Sequence, residues 1–295
     1  MRRMIGRRTL STFSAKAAYD APGAASAYRD YTMAPWRQYG ERFTLATLLG
    51  DLRGRRVLDL ACGDGTNARW LHDTCGAGEV VGVDISPAMI AQAQEQTPRS
   101  SRIKYMVGNA ADVGLGALLK DEKFDVVLAC YLLNYATTEE ELTSFLRGAR
   151  RVLKDGENSL FCAANDYSEP ASAPGGTIPA NGVVEMMRHG FRKTIDPSQL
   201  GVDGAPVLVE LYQPEPPHAD WPTPPAPPGT SLLSFFNFYL SQETHTRAFQ
   251  RAGFEDAERH FISISPEGLA LCPDGWWDEL VASRTVVYYR AAPDC

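Results

Sequence analysis

The spacing of apolar and polar positions changes period several times along the chain, and those changes divide it. From about residue 20 to 50 the side chains of Tyr28, Tyr31, Trp36, Tyr39, Phe43, Leu45 and Leu48 fall at helical spacing, with Pro35 as a break or first-turn residue. Short unbroken apolar runs then take over. Residues 56–61, 79–84, 103–107, 124–130 and 159–164 each read as a strand, separated by helical stretches that include 67–72, 87–96 and 139–153. Ser86 before Pro87 marks one helix start, a capping side chain followed by proline in the first turn. Apolar strands alternating with helices predict an α/β domain whose sheet is mostly parallel and covered on both faces. Right-handed crossovers then gather the loops after the strands along one edge, where such sheets bind ligands.

Residues 165–235 break that rhythm. They hold an alternating stretch at 207–212 and eight prolines between 214 and 228, a tract that excludes a helix or a central strand. Because that tract carries His218, Asp220 and Trp221 and returns into the apolar run 232–239, we read the segment as an inserted cover over a pocket. Beyond it, 243–252 reads as a helix stopped by Gly253, and 257–264 with 284–290 as two strands that complete the sheet as a hairpin.

Composition narrows the class. With 295 residues, 44% of them hydrophobic, the chain has ample material for a core. Its net charge of −7 conceals a basic leader at 1–19, with five basic residues and no acid, which reads as a transit peptide or a solvated arm. No apolar run approaches the ~20 residues of a spanning helix, and the acidity argues against a general nucleic-acid partner. Six cysteines without a CxxC form neither a zinc ribbon nor a disulfide framework, so no metal site is expected.

The sharpest chemical signal is Asp59-Leu60-Ala61-Cys62-Gly63-Asp64-Gly65-Thr66, a glycine loop between a strand and a helix. Its glycines permit a tight turn against bare main chain, and the helix start offers unpaired N–H groups. Asp84, at the end of the next strand, is placed to accept from two ribose hydroxyls. The loop lacks GxGxxG and GK[ST], and Asp59 and Asp64 would repel a pyrophosphate while suiting an ammonium or sulfonium cation.

With these residues the chain resembles the class I S-adenosylmethionine-dependent methyltransferases over roughly residues 50–165. In outline it is similar to toxoflavin-type and related small-molecule N- and O-methyltransferases. The resemblance implies a Rossmann-like fold with a seven-stranded sheet, organised as a helical cap at 20–50 and a cofactor-binding core at 51–295. It further implies S-adenosylmethionine as cofactor and S-adenosylhomocysteine as product. The family motif puts the main chain at Ala61, Gly63 and Gly65 around the methionyl part, with Asp59 ordering the loop or the amino group. Asp84 would hold the ribose, Ile85 and Met89 the adenine face, Asp112 the adenine amino group and Ala111 a backbone contact. Cys130 follows the fourth strand beside the cofactor, and Tyr28 and Arg37 are candidates for the methionyl carboxylate.

Methyl transfer from a sulfonium releases a neutral thioether, so no acid is needed for the leaving group and a base only when the acceptor is protonated. We take His245, Tyr131 and Tyr239 as candidate catalytic groups, and Tyr131, Asn134, Trp221, Phe235, Phe238 and Tyr239 as acceptor contacts. Aromatic walls suit an apolar or planar acceptor. The expected protein is a monomeric or homodimeric enzyme with a small-molecule methyl acceptor, free of membrane, cytoplasmic or, if 1–19 is a transit peptide, organellar. A protein or RNA methyltransferase, and a noncatalytic interaction protein on the same fold, are the alternatives.

Overall fold

In the computed structural model, residues 20, 23–156, 158–222, 226–254 and 257–294 are described, without the side chains of Ala25, Asp112 and Val113. The basic leader at 1–19 lies outside them. Among the described residues the first helix is α1 (Ala24–Thr32), and a π-helical turn at Arg37–Glu41 runs directly into α2 (Arg42–Leu49).

Strands β1 (Arg56–Leu60), β2 (Glu79–Asp84), β3 (Ile103–Val107), β4 (Val126–Cys130) and β5 (Leu160–Asp166) then alternate with α3 (Thr66–Asp73), α4 (Pro87–Gln96), α5 (Asp112–Leu118) and α6 (Glu139–Val152). The chain ends on β10 (Glu258–Phe261) and β11 (Val286–Ala291). Together these strands form one sheet in the order β10-β11-β5-β4-β1-β2-β3, parallel except at β10 and β11. Its central strands are buried on both faces, which is why they read as continuous apolar runs: Val57 packs in one core layer while Leu58 and Leu60 pack in the other.

Local signals set the helix starts. Ser86 Oγ accepts from Met89 N at 3.2 Å with Pro87 in the first turn. At α6, Thr138 Oγ1 accepts from Glu141 N while Glu141 reaches back to Thr137 N, and acids open the helix as Arg150 and Arg151 close it.

The insertion is a second sheet, which the sequence pattern did not reveal in full. Strands β6 (Val183–Met186), β7 (Phe191–Ile195), β8 (Pro206–Tyr212) and β9 (Ser231–Phe238) pair antiparallel in that order. The alternation at 207–212 is the inward row of β8, with Val207, Val209 and Leu211 buried. Opposite them lie Ile195, Lys193 and Phe191 of β7 and Asn237, Phe235 and Leu233 of β9, so three cross-strand rows face the main sheet. The proline tract is only the long connection from β8 to β9, of which 223–225 lie outside the described residues. Helix α7 (Gln242–Arg251) returns the chain to the main sheet. Between β10 and β11 stand α8 (Pro266–Leu271) and α9 (Asp278–Ser283).

Candidate active site

The order of the main sheet reverses beside β1, where the chain goes outward through β2 and β3 and then back to β4. Loops leave this point in opposite directions, and a crevice opens between them. A cavity of about 750 Å³, counting its open mouth, lies there. Its walls come from the turns after β1 (Ala61, Gly63), β2 (Asp84, Ile85), β3 (Asn109, Ala110) and β4 (Cys130, Tyr131, Leu132), with Met89 of α4 and Tyr28 of α1.

The glycine loop is held from the side by Asp84, whose carboxylate accepts from Gly63 N at 2.9 Å and Ser86 N at 2.8 Å. Burial raises Asp84 above the usual carboxylate range, while those N–H groups pull the other way. Two non-glycine residues, Ala61 and Tyr131, adopt left-handed backbone with φ of 58°, and both line this cavity. Such conformations are held in place by their surroundings and gather at working sites. Beneath the loop, Asp59 is fully buried with no partner for either oxygen. Burial first, then the charges of Asp84 and Asp64, push it up to about 8. An unpaired carboxylate at this depth is costly unless a cation or donor arrives, which fits an amino group.

A second cavity, about 470 Å³ counting its open mouth, adjoins the first and shares Tyr28, Tyr131 and Tyr135 with it. The inserted sheet forms one side through Phe191, Lys193, Val209, Leu211, Phe235 and Asn237, and Tyr31, Trp36, Arg37, Asn134 and Asp166 form the other. Arg37 is buried among four rings, its guanidinium carbon 4.9 Å from the Tyr131 centroid, 5.3 Å from Tyr31 and Trp36 and 5.7 Å from Tyr28. Glu41, one helical turn on, pairs with it at 3.3 Å and also accepts the Tyr131 hydroxyl hydrogen bond. Burial alone would depress Arg37; Glu41 and the surrounding phenols outweigh it and hold the guanidinium well above its ordinary value. Burial, reinforced by Glu41, raises the Tyr131 phenol far beyond its ordinary range. Lys193, also buried, lies 2.8 Å from Asp166 and donates to Thr285 O at 2.7 Å, while Asn237 Nδ2 donates to Asp166.

Several sequence expectations meet in these cavities. Ala61, Gly63, Asp84, Ile85, Met89 and Cys130 line the first, Asn134 and Phe235 the second, and Tyr28 and Tyr131 both. Others need correcting. His245 borders neither cavity: it stacks on Tyr289 with 5.3 Å between centroids, meets Ser241 O and Asn165, and lines a separate small hollow that touches Asp166 and Asn237 from the α7 side. Phe238 and Tyr239 share that region, and the Tyr239 hydroxyl is committed to Glu169 at 2.8 Å. Trp221 packs on Tyr39 in an outer groove.

The cofactor set shifts as well. Arg37 borders the second cavity rather than the first. Gly65 is a packing glycine: at φ 79° it caps α3, and an added Cβ would overlap the Tyr105 phenol and meet Ala93 at 3.0 Å. Ala110 lines the cavity where Ala111 was expected, since Ala111 N turns back to Asn109 Oδ1 at 3.0 Å. The side chain of Asp112 lies outside the described set. Sequence reasoning missed Glu41 and Lys193 altogether, although Glu41 stands four residues after Arg37 and Lys193 interrupts an alternating apolar row.

Acids rather than phosphate-binding groups ring this glycine loop. That separates the site from dinucleotide-binding edges on similar sheets, and the strand order is that of the class I S-adenosylmethionine-dependent methyltransferase fold. Comparison agrees over that part of the chain: residues 57–156 match the methyltransferase domain family. A demethylmenaquinone methyltransferase of Tropheryma whipplei is 32% identical over 124 residues, 42% of this chain and 46% of that protein. An erythromycin 3''-O-methyltransferase of Saccharopolyspora erythraea is 26% identical over 72% of this chain and 55% of its own. The chain thus spans about half the length of these curated relatives. Among solved structures, a methyltransferase from Mesorhizobium loti shares the fold with a TM-score of 0.55 at 18% identity, covering 88% of this chain and 99% of its own. Among the described residues no helix is long and apolar enough to cross a membrane, and no cluster of three metal-ligating side chains occurs.

Proposed function

We propose that the chain transfers a methyl group from S-adenosylmethionine to a hydroxyl or N–H group of a small planar acceptor. The observation that carries this is the pair of adjoining cavities, one on the cofactor edge and one under the inserted sheet, meeting at Tyr28, Tyr131 and Tyr135. In the first, Asp84 would hold the ribose hydroxyls, the main chain at Ala61 and Gly63 the methionyl part, Ile85 and Met89 the adenine, and Asp59 the amino group from below. Bound there, the cofactor supplies a methyl group activated by a sulfonium.

The protein's own work is orientation and exclusion of water. Tyr131 gives its proton to the hydrogen bond with Glu41, so its oxygen lone pairs are what it offers an acceptor O–H or N–H at the junction. A second cavity of this size with aromatic walls supports a small molecule over a protein or RNA chain. The names of the two curated relatives point the same way.

The test is calorimetry with S-adenosylhomocysteine, followed by transfer of labelled methyl groups to a panel of planar phenols and heteroaromatic amines. Failure to bind S-adenosylhomocysteine overturns the reading. Labelling of proteins or RNA in place of small molecules overturns its acceptor half.

A further inference from the structure

The second cavity has a charge balance and an unpaired amide that methyl transfer by itself does not require. Each cation at its wall already owns an anion: Arg37 is paired with Glu41 and Lys193 with Asp166. An anionic ligand would have to draw Lys193 from Asp166, and a cationic one Asp166 from Lys193. Either leaves a buried charge alone, the costly outcome.

Asn134 behaves differently. It is 2% exposed, lines the cavity, and neither Oδ1 nor Nδ2 has a partner in the protein. Asn237, also buried, spends Nδ2 on Asp166 and leaves Oδ1 unpartnered. Buried carboxamides are ordinarily hydrogen-bonded, so two with unpartnered atoms among the residues lining one cavity call for a ligand. One side-chain amide offers one donor beside one acceptor, and its complement is an edge with the same pair reversed.

We propose that the acceptor is an uncharged, planar molecule with a hydrogen-bond donor next to an acceptor, as on the N–H and C=O edge of a lactam, and that Asn134 reads this edge. The inference rests on assigning the second cavity to the acceptor. Two internally neutral ion pairs set the charge preference, aromatic walls the planarity, and Asn134 the orientation.

The experiment uses the full chain without cofactor and four bicyclic probes of similar size: 2-quinolone, quinoline-2-carboxylate, N-methylquinolinium and naphthalene. Binding is read by calorimetry and by the fluorescence of the tryptophans, of which Trp36 lines the cavity. The expected result is 2-quinolone binding about tenfold tighter than the other three, the weight of a satisfied buried amide. Asn134→Leu should weaken 2-quinolone about tenfold and leave naphthalene unchanged. Tighter binding of either charged probe, absence of binding by 2-quinolone, or 2-quinolone affinity untouched in folded Asn134→Leu overturns the proposal. The probe ranking on the unsubstituted protein decides it even where Asn134→Leu does not fold. Binding of S-adenosylhomocysteine, measured separately, fails or holds independently, so loss of the methyltransferase reading is distinguishable from loss of this one.

Discussion

The two cavities are neighbours built on opposite plans. The cofactor side is made chiefly by main chain: a glycine loop, strand-end turns and one carboxylate, contributed in order by the four turns after β1 to β4. The second cavity, the proposed acceptor side, is made by side chains gathered from distant segments, with α1, the turn after β4, the end of β5 and three inserted strands each sending one to three residues. The first plan fixes one ligand through backbone geometry. The second rests on side chains carried largely by a sheet outside the cofactor edge.

If that division holds, substitutions on the two sides should separate cleanly, and Asp84→Ala should show the largest effect. It removes two acceptors proposed for the ribose and the two hydrogen bonds that hold Gly63 and Ser86. The loss of S-adenosylhomocysteine affinity should be on the order of a thousandfold, about 4 kcal/mol. Asn237→Ala, in the same calorimeter, should leave that affinity within about twofold while changing acceptor binding. Equal damage from both would break the comparison.

Stability should divide the same way, with a smaller gap. Leu58 is fully enclosed between the main sheet and its helices, so Leu58→Ala should cost about 3 to 5 kcal/mol in denaturant unfolding. Leu211→Ala enlarges a cavity that already exists, and should cost nearer 2 kcal/mol while raising the acceptor's KM.

The same contrast explains what could be read from the sequence. Strands β1 to β5 announced themselves because burial on both faces makes apolar runs, and Asp84 and Gly63 because a strand end and a turn fix their positions locally. Lys193 and Glu41 did not, since their roles exist only once β7 and the π-helical turn are packed against β5 and β4. His245 was misread for a related reason. A histidine on a helix after an aromatic run says nothing about which face of the sheet that helix will cover, and here it covers the far one.

Acid–base behaviour sharpens the cofactor side further. Asp59 sits near 8 in the fold against an ordinary value near 4, so between those limits the folded chain holds a proton that the unfolded chain lacks. The Asp59 contribution to stability therefore falls as pH rises through that window, and Asp59→Asn should remove this part of the pH dependence. An ammonium partner needs the carboxylate, so binding must expel the proton, at a cost that shrinks as pH approaches 8. Affinity for S-adenosylhomocysteine should climb from about pH 6 to about pH 8 by up to tenfold per unit, and stay flat in Asp59→Asn. A flat profile in the unsubstituted protein would separate Asp59 from the amino group.

The smallest effect is expected at His245, where the comparison predicts almost none on catalysis. Burial holds its imidazole below the ordinary histidine value, against the pull of Ser241 O. Below that ordinary value the unfolded chain binds a proton that the folded chain does not, so stability is lost as pH falls, and His245→Phe should remove this part of the acid sensitivity. Phenylalanine preserves the stack on Tyr289, which keeps α7 seated on the sheet. The kcat/KM of His245→Phe should stay within about twofold of the unsubstituted enzyme, with an unchanged pH profile, because no atom of His245 borders either cavity. A tenfold fall in kcat with an intact fold would return His245 to the site as a base, and would mean that β5 no longer separates the two faces during turnover.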